Sequence, residues 1–188
     1  MRLETERLIL REFTPDDWLT VWEYQREPRY LRYYEWADRT QEDVRAFIER
    51  FIAHQQARPR IRFQLAVVIK SGGELIGNCG IRRDSIDSHE ADIGYELAPQ
   101  HWGQGYATEA ARAIVAFGFS ELGLHRISAE CVLDNAGSIR VLRKAGMQLE
   151  GQLRHKEYYK GRWWDRLLFA VLEDEWRALQ AGDRRPIT

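Results

Sequence analysis

The 188-residue chain reads as one mixed α/β domain over residues 1–188, on three observations. Segments with apolar residues at helical spacing alternate with short β-branched runs, glycine and proline fall between them, and no linker, repeat or low-complexity stretch divides the chain. At this length a folded chain buries roughly 70% of its extended surface, enough for one core without disulfides or a structural metal. The 28 Lys plus Arg against 29 Asp plus Glu leave a formal net charge of −1. Balanced, interspersed charge removes the electrostatic basis for a dedicated nucleic-acid binder or a polybasic membrane anchor.

Taken in order, Leu3, Leu8, Leu10 and Phe13 fit one extended opening strand. Thr14-Pro15-Asp16-Asp17 combines an N-cap, a proline at the first helical position and acids in the first turn, so a helix is expected from Pro15 to about Arg26. Pro28 to Asp38 is aromatic and loop-like. Thr40-Gln41-Glu42-Asp43 opens a second helix carrying Val44, Phe47, Ile48, Phe51 and Ile52, closed by Pro59. Phe63–Ile69 and Leu75–Ile81 form a hairpin across Ser71-Gly72-Gly73-Glu74, and Ala91–Leu97 is a further strand. From Gly103 the period changes: Ala107, Ala110, Ala111, Ile114, Val115 and Phe117 describe a helix ending before Gly123. His125–Leu133 is a strand, and Asp134-Asn135-Ala136-Gly137-Ser138 caps a helix that stops at Gly146. Met147–Tyr159 and Trp163–Leu172 make a closing hairpin around Lys160-Gly161, Glu173–Leu179 a short helix, and Ala181–Thr188 a loose tail.

Cys79 and Cys131 sit in apolar strand-like segments and read as small buried hydrophobes, which fits a reducing compartment. Met1 to Arg7 carries acids where a signal peptide needs an apolar run, and no stretch approaches the ~20 apolar residues of a membrane span. A cytoplasmic protein is expected.

The stretch that carries chemistry is the strand-to-helix junction Trp102-Gly103-Gln104-Gly105-Tyr106-Ala107-Thr108-Glu109. Small residues there let backbone amides approach an anion, and a helix start offers unpaired N–H groups and a favourable dipole. The two readings are a phosphate or pyrophosphate cradle and a plain turn. The dinucleotide fingerprint wants a third glycine where Thr108 stands, and Gly-Lys-Ser/Thr occurs nowhere, so neither of those nucleotide motifs fits.

Trp102 to Ala107 resembles the Arg/Gln-x-x-Gly-x-Gly/Ala signature of the GNAT superfamily of acyl-coenzyme A N-acyltransferases: Gly105 and Ala107 match its small positions, while Trp102 departs from the usual Arg or Gln. With Leu3-Glu4-Thr5-Glu6-Arg7-Leu8, Asn135-x-x-Ser138 and Gly146-Met147, the likeness spans nearly the whole chain. Together these motifs look like the branch that includes ribosomal-protein N-terminal acetyltransferases (RimJ/RimL-like). The resemblance implies an α+β fold with a central mixed, mostly antiparallel sheet, a splayed strand pair and flanking helices. It implies acetyl-coenzyme A as co-substrate, with Leu97 and Ala98 against pantetheine and the pyrophosphate in the Gly103 to Thr108 turn, on the amides of Gln104, Gly105, Tyr106, Ala107 and Thr108. A backbone N–H near Glu96 or Leu97 would polarise the thioester carbonyl. Asn135 would contact the coenzyme, and Ser138 would place a hydroxyl near the departing sulfur. Both residue types equally suit helix capping. Many family members use a tyrosine for the sulfur, but here the corresponding helix region offers Leu142.

Only a neutral amine attacks a thioester. At pH 7 roughly 10% of an α-amine is neutral but below 0.1% of lysine, a handicap about 3 kcal/mol larger for lysine. An α-amine therefore needs only modest proton removal, which one carboxylate could supply, directly or through water. The resemblance places that carboxylate at Glu157, with Glu130 and Glu96 as rivals; the alternative for Glu157 is a solvated charge facing Lys156 or Lys160. Tyr30, Tyr33, Tyr34 and Trp36 are either core aromatics or acceptor surface. The five histidines show no metal-ligand spacing, and no metal is expected. The expectation is an N-acetyltransferase, monomeric or homodimeric, acting on an amine acceptor with a peptide or protein N-terminus leading. A small antibiotic-like or polyamine-like amine comes next, and a non-catalytic acyl-coenzyme A module is the alternative class.

Overall fold

The computed structural model describes residues 1–182. The opening strand is in fact two, β1 (Arg2–Glu4) and β2 (Leu8–Arg11), paired antiparallel with Leu3 opposite Leu10. The break comes from Thr5, whose N–H donates to Leu8 O at 3.0 Å and whose hydroxyl accepts from Leu8 N–H at 2.9 Å, closing a turn over Glu6 and Arg7. The expected first helix begins as a 3₁₀ turn at Pro15–Asp17 and continues as α1 (Trp18–Gln25). The aromatic connection contains one more helical turn, α2 (Pro28–Leu31), where proline occupies the first position. α3 (Gln41–Gln56) starts from a reciprocal cap: Thr40 Oγ1 accepts from Asp43 N–H at 3.1 Å and Asp43 Oδ2 from Thr40 N–H at 3.0 Å.

The remaining elements are β3 (Arg62–Ile69), β4 (Leu75–Arg82), β5 (Glu90–Leu97), α4 (Tyr106–Ser120), β6 (Arg126–Val132), α5 (Ala136–Lys144), β7 (Gln148–Tyr159), β8 (Arg162–Leu172) and α6 (Glu173–Gly182). The last helix extends into the expected loose tail, whose remainder lies outside the described residues. The eight strands form one sheet, ordered β1-β2-β3-β4-β5-β6-β8-β7, antiparallel throughout except for β5 beside β6. Its two faces are covered differently. Odd-numbered residues of the central strands, among them Leu65, Cys79, Ile81, Ile93, Ile127 and Phe169, pack under α4 and α5 against Ile114, Val115 and Leu142. On the other face Ala66, Val68 and Leu75 pack under α1 and α3 against Val21, Val44, Ile48 and Phe51. Each Leu, Ile, Val or Phe side chain among them contributes about 1.5–3 kcal/mol when fully buried.

The two thiols are buried, and burial pushes Cys79 up to about 12. Among the described residues no helix is long and apolar enough to cross a membrane. Nor, among them, does any group of three or more His, Cys, Asp or Glu side chains have an arrangement that would hold a metal ion.

Candidate active site

The parallel ladder between β5 and β6 has three rungs, Glu90 with Arg126, Ala91 with Ile127 and Asp92 with Ser128. Beyond them each strand keeps to its outer neighbour, β5 to β4 as far as Gly77 opposite Leu97, and β6 to β8 as far as Val132 opposite Arg166. The two strands therefore diverge over Ile93–Leu97. Ala98 N–H donates to Ile76 O at 2.8 Å. Since hydrogen-bonded and open positions alternate in an antiparallel ladder, Glu96 and Gly94 turn their backbone groups to β4, while Leu97, Tyr95 and Ile93 turn theirs into the gap. The Leu97 carbonyl is already engaged by Trp102 Nε1 at 2.7 Å, so Leu97 presents its N–H. Ala98 is buried at the end of this strand, its own N–H committed to β4.

Past β5 the chain turns through Pro99–His101 and reaches α4 through Gly103 at φ 79° and Gly105 at φ 85°, left-handed conformations that favour glycine. Glu109 N–H, bonded to Gly105 O at 3.0 Å, closes the first turn, so the amides of Tyr106, Ala107 and Thr108 have no acceptor within the helix. Gln104, an exposed residue beside them, donates from Nε2 to Gln100 O at 3.1 Å. The turn is pinned from the amino terminus. Glu109 accepts from Thr5 Oγ1 at 2.6 Å, Arg7 N–H at 2.8 Å and Arg7 Nε at 2.7 Å, and Arg7 Nη1 donates to Gln104 O at 3.0 Å. Burial would raise the Glu109 carboxyl, but these bonds and the Arg7 charge outweigh it and hold the group below its ordinary value. A Cβ on Gly105 would come within 3.3 Å of Arg7 Nη2. The cradle thus has the open amides, the approach and the helix dipole that a pyrophosphate needs.

Ser138 and Asn135 part company in their bonding. Asn135 caps α5, its Oδ1 accepting from Ser138 N–H at 3.0 Å, whereas the Ser138 hydroxyl caps nothing and meets Tyr95 OH at 2.7 Å. Tyr95 carries no signal in the sequence: on a strand it alternates with Ile93 and Leu97 as one more inward residue, and only the fold places it beside α5. Burial raises its phenol above the ordinary value, so it stays protonated and can donate. Leu142 is buried in the core.

The three carboxylates line one cleft of about 650 Å³ on the α3 face of the sheet, the face opposite Ser138. They differ in what they already hold. Glu96 accepts from Tyr24 OH at 2.7 Å, Gln25 Nε2 at 2.8 Å and Asn78 Nδ2 at 2.7 Å on Oε1, and from Tyr30 OH at 2.6 Å and Tyr34 OH at 3.3 Å on Oε2. Burial and the Glu96 charge push all three phenols up, keeping them donors. With its lone pairs filled, Glu96 organises the cleft wall and is poorly placed to take a proton. Tyr34 and Trp36 line the cleft, stacked at 4.7 Å, and Tyr30 is buried in the core behind Tyr34; Tyr33 sits apart, its OH donating to Asp134 O at 3.1 Å. Glu157 faces Arg166 rather than Lys156 or Lys160: Oε2 accepts from Arg166 Nε at 3.0 Å and Nη2 at 2.6 Å, and Oε1 has no partner among the described residues. Lys160 instead donates to Leu31 O at 2.6 Å. Glu157 is set by a bulge in β7, where the register moves from Leu153 opposite Arg166 to Glu157 opposite Trp164. His155, at φ 49°, forms the bend, with its N–H on Asp165 Oδ1 at 2.9 Å. Glu130 is exposed on β6, without an ion pair among the described residues.

A splayed sheet, an amide cradle at its mouth, hydroxyls on one side of the gap and carboxylates on the other are the parts of an acyl-transfer site. Residues 7–148 match the family described as the acetyltransferase (GNAT) domain. The chain is 34% identical over 176 residues to YnaD of Bacillus subtilis (strain 168), described as an uncharacterized N-acetyltransferase, covering 94% of this chain and 99% of that one. A GNAT-family acetyltransferase structure from Bacillus anthracis superposes with a TM-score of 0.81 at 32% identity, over 93% of this chain and 99% of that chain. Two further structures share the fold at lower identity. One is the ribosomal L7/L12 alpha-N-protein acetyltransferase RimL in complex with coenzyme A (TM-score 0.81, 21%, 93% of this chain and 99% of that one). The other is spermidine N-acetyltransferase from Vibrio cholerae with coenzyme A and spermine (0.78, 20%, 92% and 99%). The chain belongs to the GNAT acetyltransferase family and is an N-acetyltransferase of that type, a family that uses acetyl-coenzyme A.

Proposed function

We propose that this enzyme, acting as one domain, acetylates the α-amine of a peptide or protein N-terminus. The observation that carries the reading is the two-sided gap, with protonated hydroxyls at Ser138 and Tyr95 on the α5 side and carboxylates on the α3 side. A thioester lying between β5 and β6 would present its sulfur to the first and its carbonyl carbon to the second. Gln104, Gly105, Tyr106, Ala107 and Thr108 hold the pyrophosphate on their amides, with Gly103 shaping the turn. Leu97 and Ala98 flank the pantetheine, Asn135 contacts the coenzyme while capping α5, and the Leu97 N–H faces the carbonyl oxygen. Glu157, through the Oε1 that has no partner among the described residues, takes the proton from the amine, directly or through water, and Ser138 donates a hydrogen bond to the departing thiolate. An α-amine suits one such carboxylate because a modest fraction of it is already neutral at pH 7.

The test is thiol release from acetyl-coenzyme A with a panel of N-terminal peptides and a panel of small amines, including spermidine and aminoglycosides. Release with peptides whose lysines are blocked, and mass-shifted N-termini, support the reading. Release with the small amines alone would replace it with the small-amine reading, and release with neither despite tight coenzyme binding would make the chain an acyl-coenzyme A module.

A further inference from the structure

The cleft that receives the amine is not uniformly acidic. Arg50 and His54, one turn apart on α3, line its far end together with Arg62 on β3 and Arg82 on β4. Arg82 is matched by Asp92 and Arg166 by Glu157, while Arg60 nearby is matched by Glu12. Arg50 and Arg62 form no ion pair among the described residues. Two features bear on the charge at this end. Arg62 stands directly opposite Arg82 across the β3–β4 ladder, a like-charge pairing that weakens a sheet unless something offsets it. His54, squeezed by burial and then by Arg62, Arg50 and Arg60, is held below the ordinary imidazole value.

The distance between the two ends follows from the register. Arg62, Arg82 and Asp92 share one cross-strand row, and Asn78 and Glu96 share the row four residues further on. Four residues along a strand are about 13 Å and two strand spacings about 10 Å, so Arg62 and Glu96, whose neighbour Leu97 would face the thioester carbonyl, lie roughly 16 Å apart across the cleft. Gly80 and Gly94 lie between these rows, and in place of side chains of their own the Gln64 amide and the Arg82 guanidinium lie over them as the cleft floor.

Resting on the N-terminal reading, we infer that the acceptor is an acidic N-terminal segment whose carboxylate, about five extended residues from the amine, is bound by Arg50 and Arg62. At roughly 3.3 Å per residue the span selects side chains at the fourth to sixth positions of the peptide. A polyamine, with cations at both ends, would meet the arginines with the wrong sign.

The experiment uses the full chain, acetyl-coenzyme A and three eight-residue peptides that are identical except for Asp, Gln or Lys at positions four to six, with spermidine as a fourth acceptor. The expected order in kcat/KM is Asp, Gln, Lys, with at least a 10-fold span between Asp and Lys carried mainly in KM. The double variant Arg50→Gln/Arg62→Gln should compress that span to about 2-fold with the KM for acetyl-coenzyme A unchanged. Equal use of the Asp and Lys peptides, preference for the Lys peptide, or a span that survives the double variant would overturn the inference while leaving the N-terminal reading standing. Turnover of spermidine alone would overturn both.

Discussion

Replacing Gly105 by alanine probes the cradle at the point where backbone shape matters most. Gly105 sits at φ 85° immediately before α4, and a residue with a Cβ in that region costs about 1–2 kcal/mol. The added methyl would also press on Arg7 Nη2 at 3.3 Å, an easier strain because a guanidinium end can move. A free loop can relieve the backbone strain by rotating the substituted residue to negative φ, which swings the Tyr106 and Ala107 amides away from the pyrophosphate position. Binding then requires the rotation to be reversed, so 1–2 kcal/mol moves into the association step, roughly a 5- to 30-fold weaker Kd for coenzyme A. Gly123 supplies the control, with φ 63° and open space where a Cβ would stand, at the opposite end of α4. Gly123→Ala should lower stability by about 1–2 kcal/mol, a few degrees in Tm for a chain of this size, and leave the Kd where it was. Titration calorimetry with coenzyme A, paired with thermal melting, reads both quantities. If Gly105→Ala bound coenzyme A as tightly as Gly123→Ala, the amides around Gly105 would not be the anion site.

Three other outcomes follow from the same geometry. Glu157→Gln keeps the shape and the hydrogen bond to Arg166 but removes the proton acceptor, so kcat should fall about 10²-fold or more, most severely at low pH where more of the amine is charged; an unchanged pH–rate profile would move the base to Glu130. Tyr95→Phe removes the phenol that meets Ser138 Oγ at 2.7 Å and donates to Ser138 O at 3.2 Å, a hydrogen bond worth about 1 kcal/mol, and should lower kcat about 5-fold with the Kd for coenzyme A unchanged, checked by single-turnover kinetics and calorimetry. Because the folded-state Glu109 carboxyl lies below its ordinary value of 4.5, the stabilisation it brings is complete above that value and is lost as the pH falls through the folded-state value. The Tm gap between wild type and Glu109→Gln should accordingly be widest at pH 6–7 and narrow below pH 4, as melting curves across that range would register.

What can be read from the chain and what cannot divides by sequence distance. The Thr40 and Asn135 caps, the Lys160-Gly161 turn and the α4 periodicity are local, encoded within a few residues, and they stand where their chemistry puts them. The opening strand reads as one because its Thr5 turn spans only two intervening residues, and α2 leaves no trace because a single helical turn has no periodicity to show. The site's bonding is hidden for a different reason. Tyr30 reaches Glu96 across 66 residues, Ser138 meets Tyr95 across 43, and Arg7 reaches Glu109 across 102, so nothing about any of these residue types announces its partner. The β7 bulge that selects the partner of Glu157 is carried by His155 in a left-handed conformation that few residues other than glycine adopt, and no glycine marks the place in the sequence.

The short ladder between β5 and β6 has a mechanical consequence. Five strands on one side and three on the other are joined in the sheet by three parallel rungs, with the helices above as the other tie. A slender molecule seated in the opening would act as a splint across the seam, taking up amides that no strand satisfies and bracing the two panels against each other. Substrate loading and stiffening of the scaffold would then be one event, and the emptied protein the more pliant partner in each cycle.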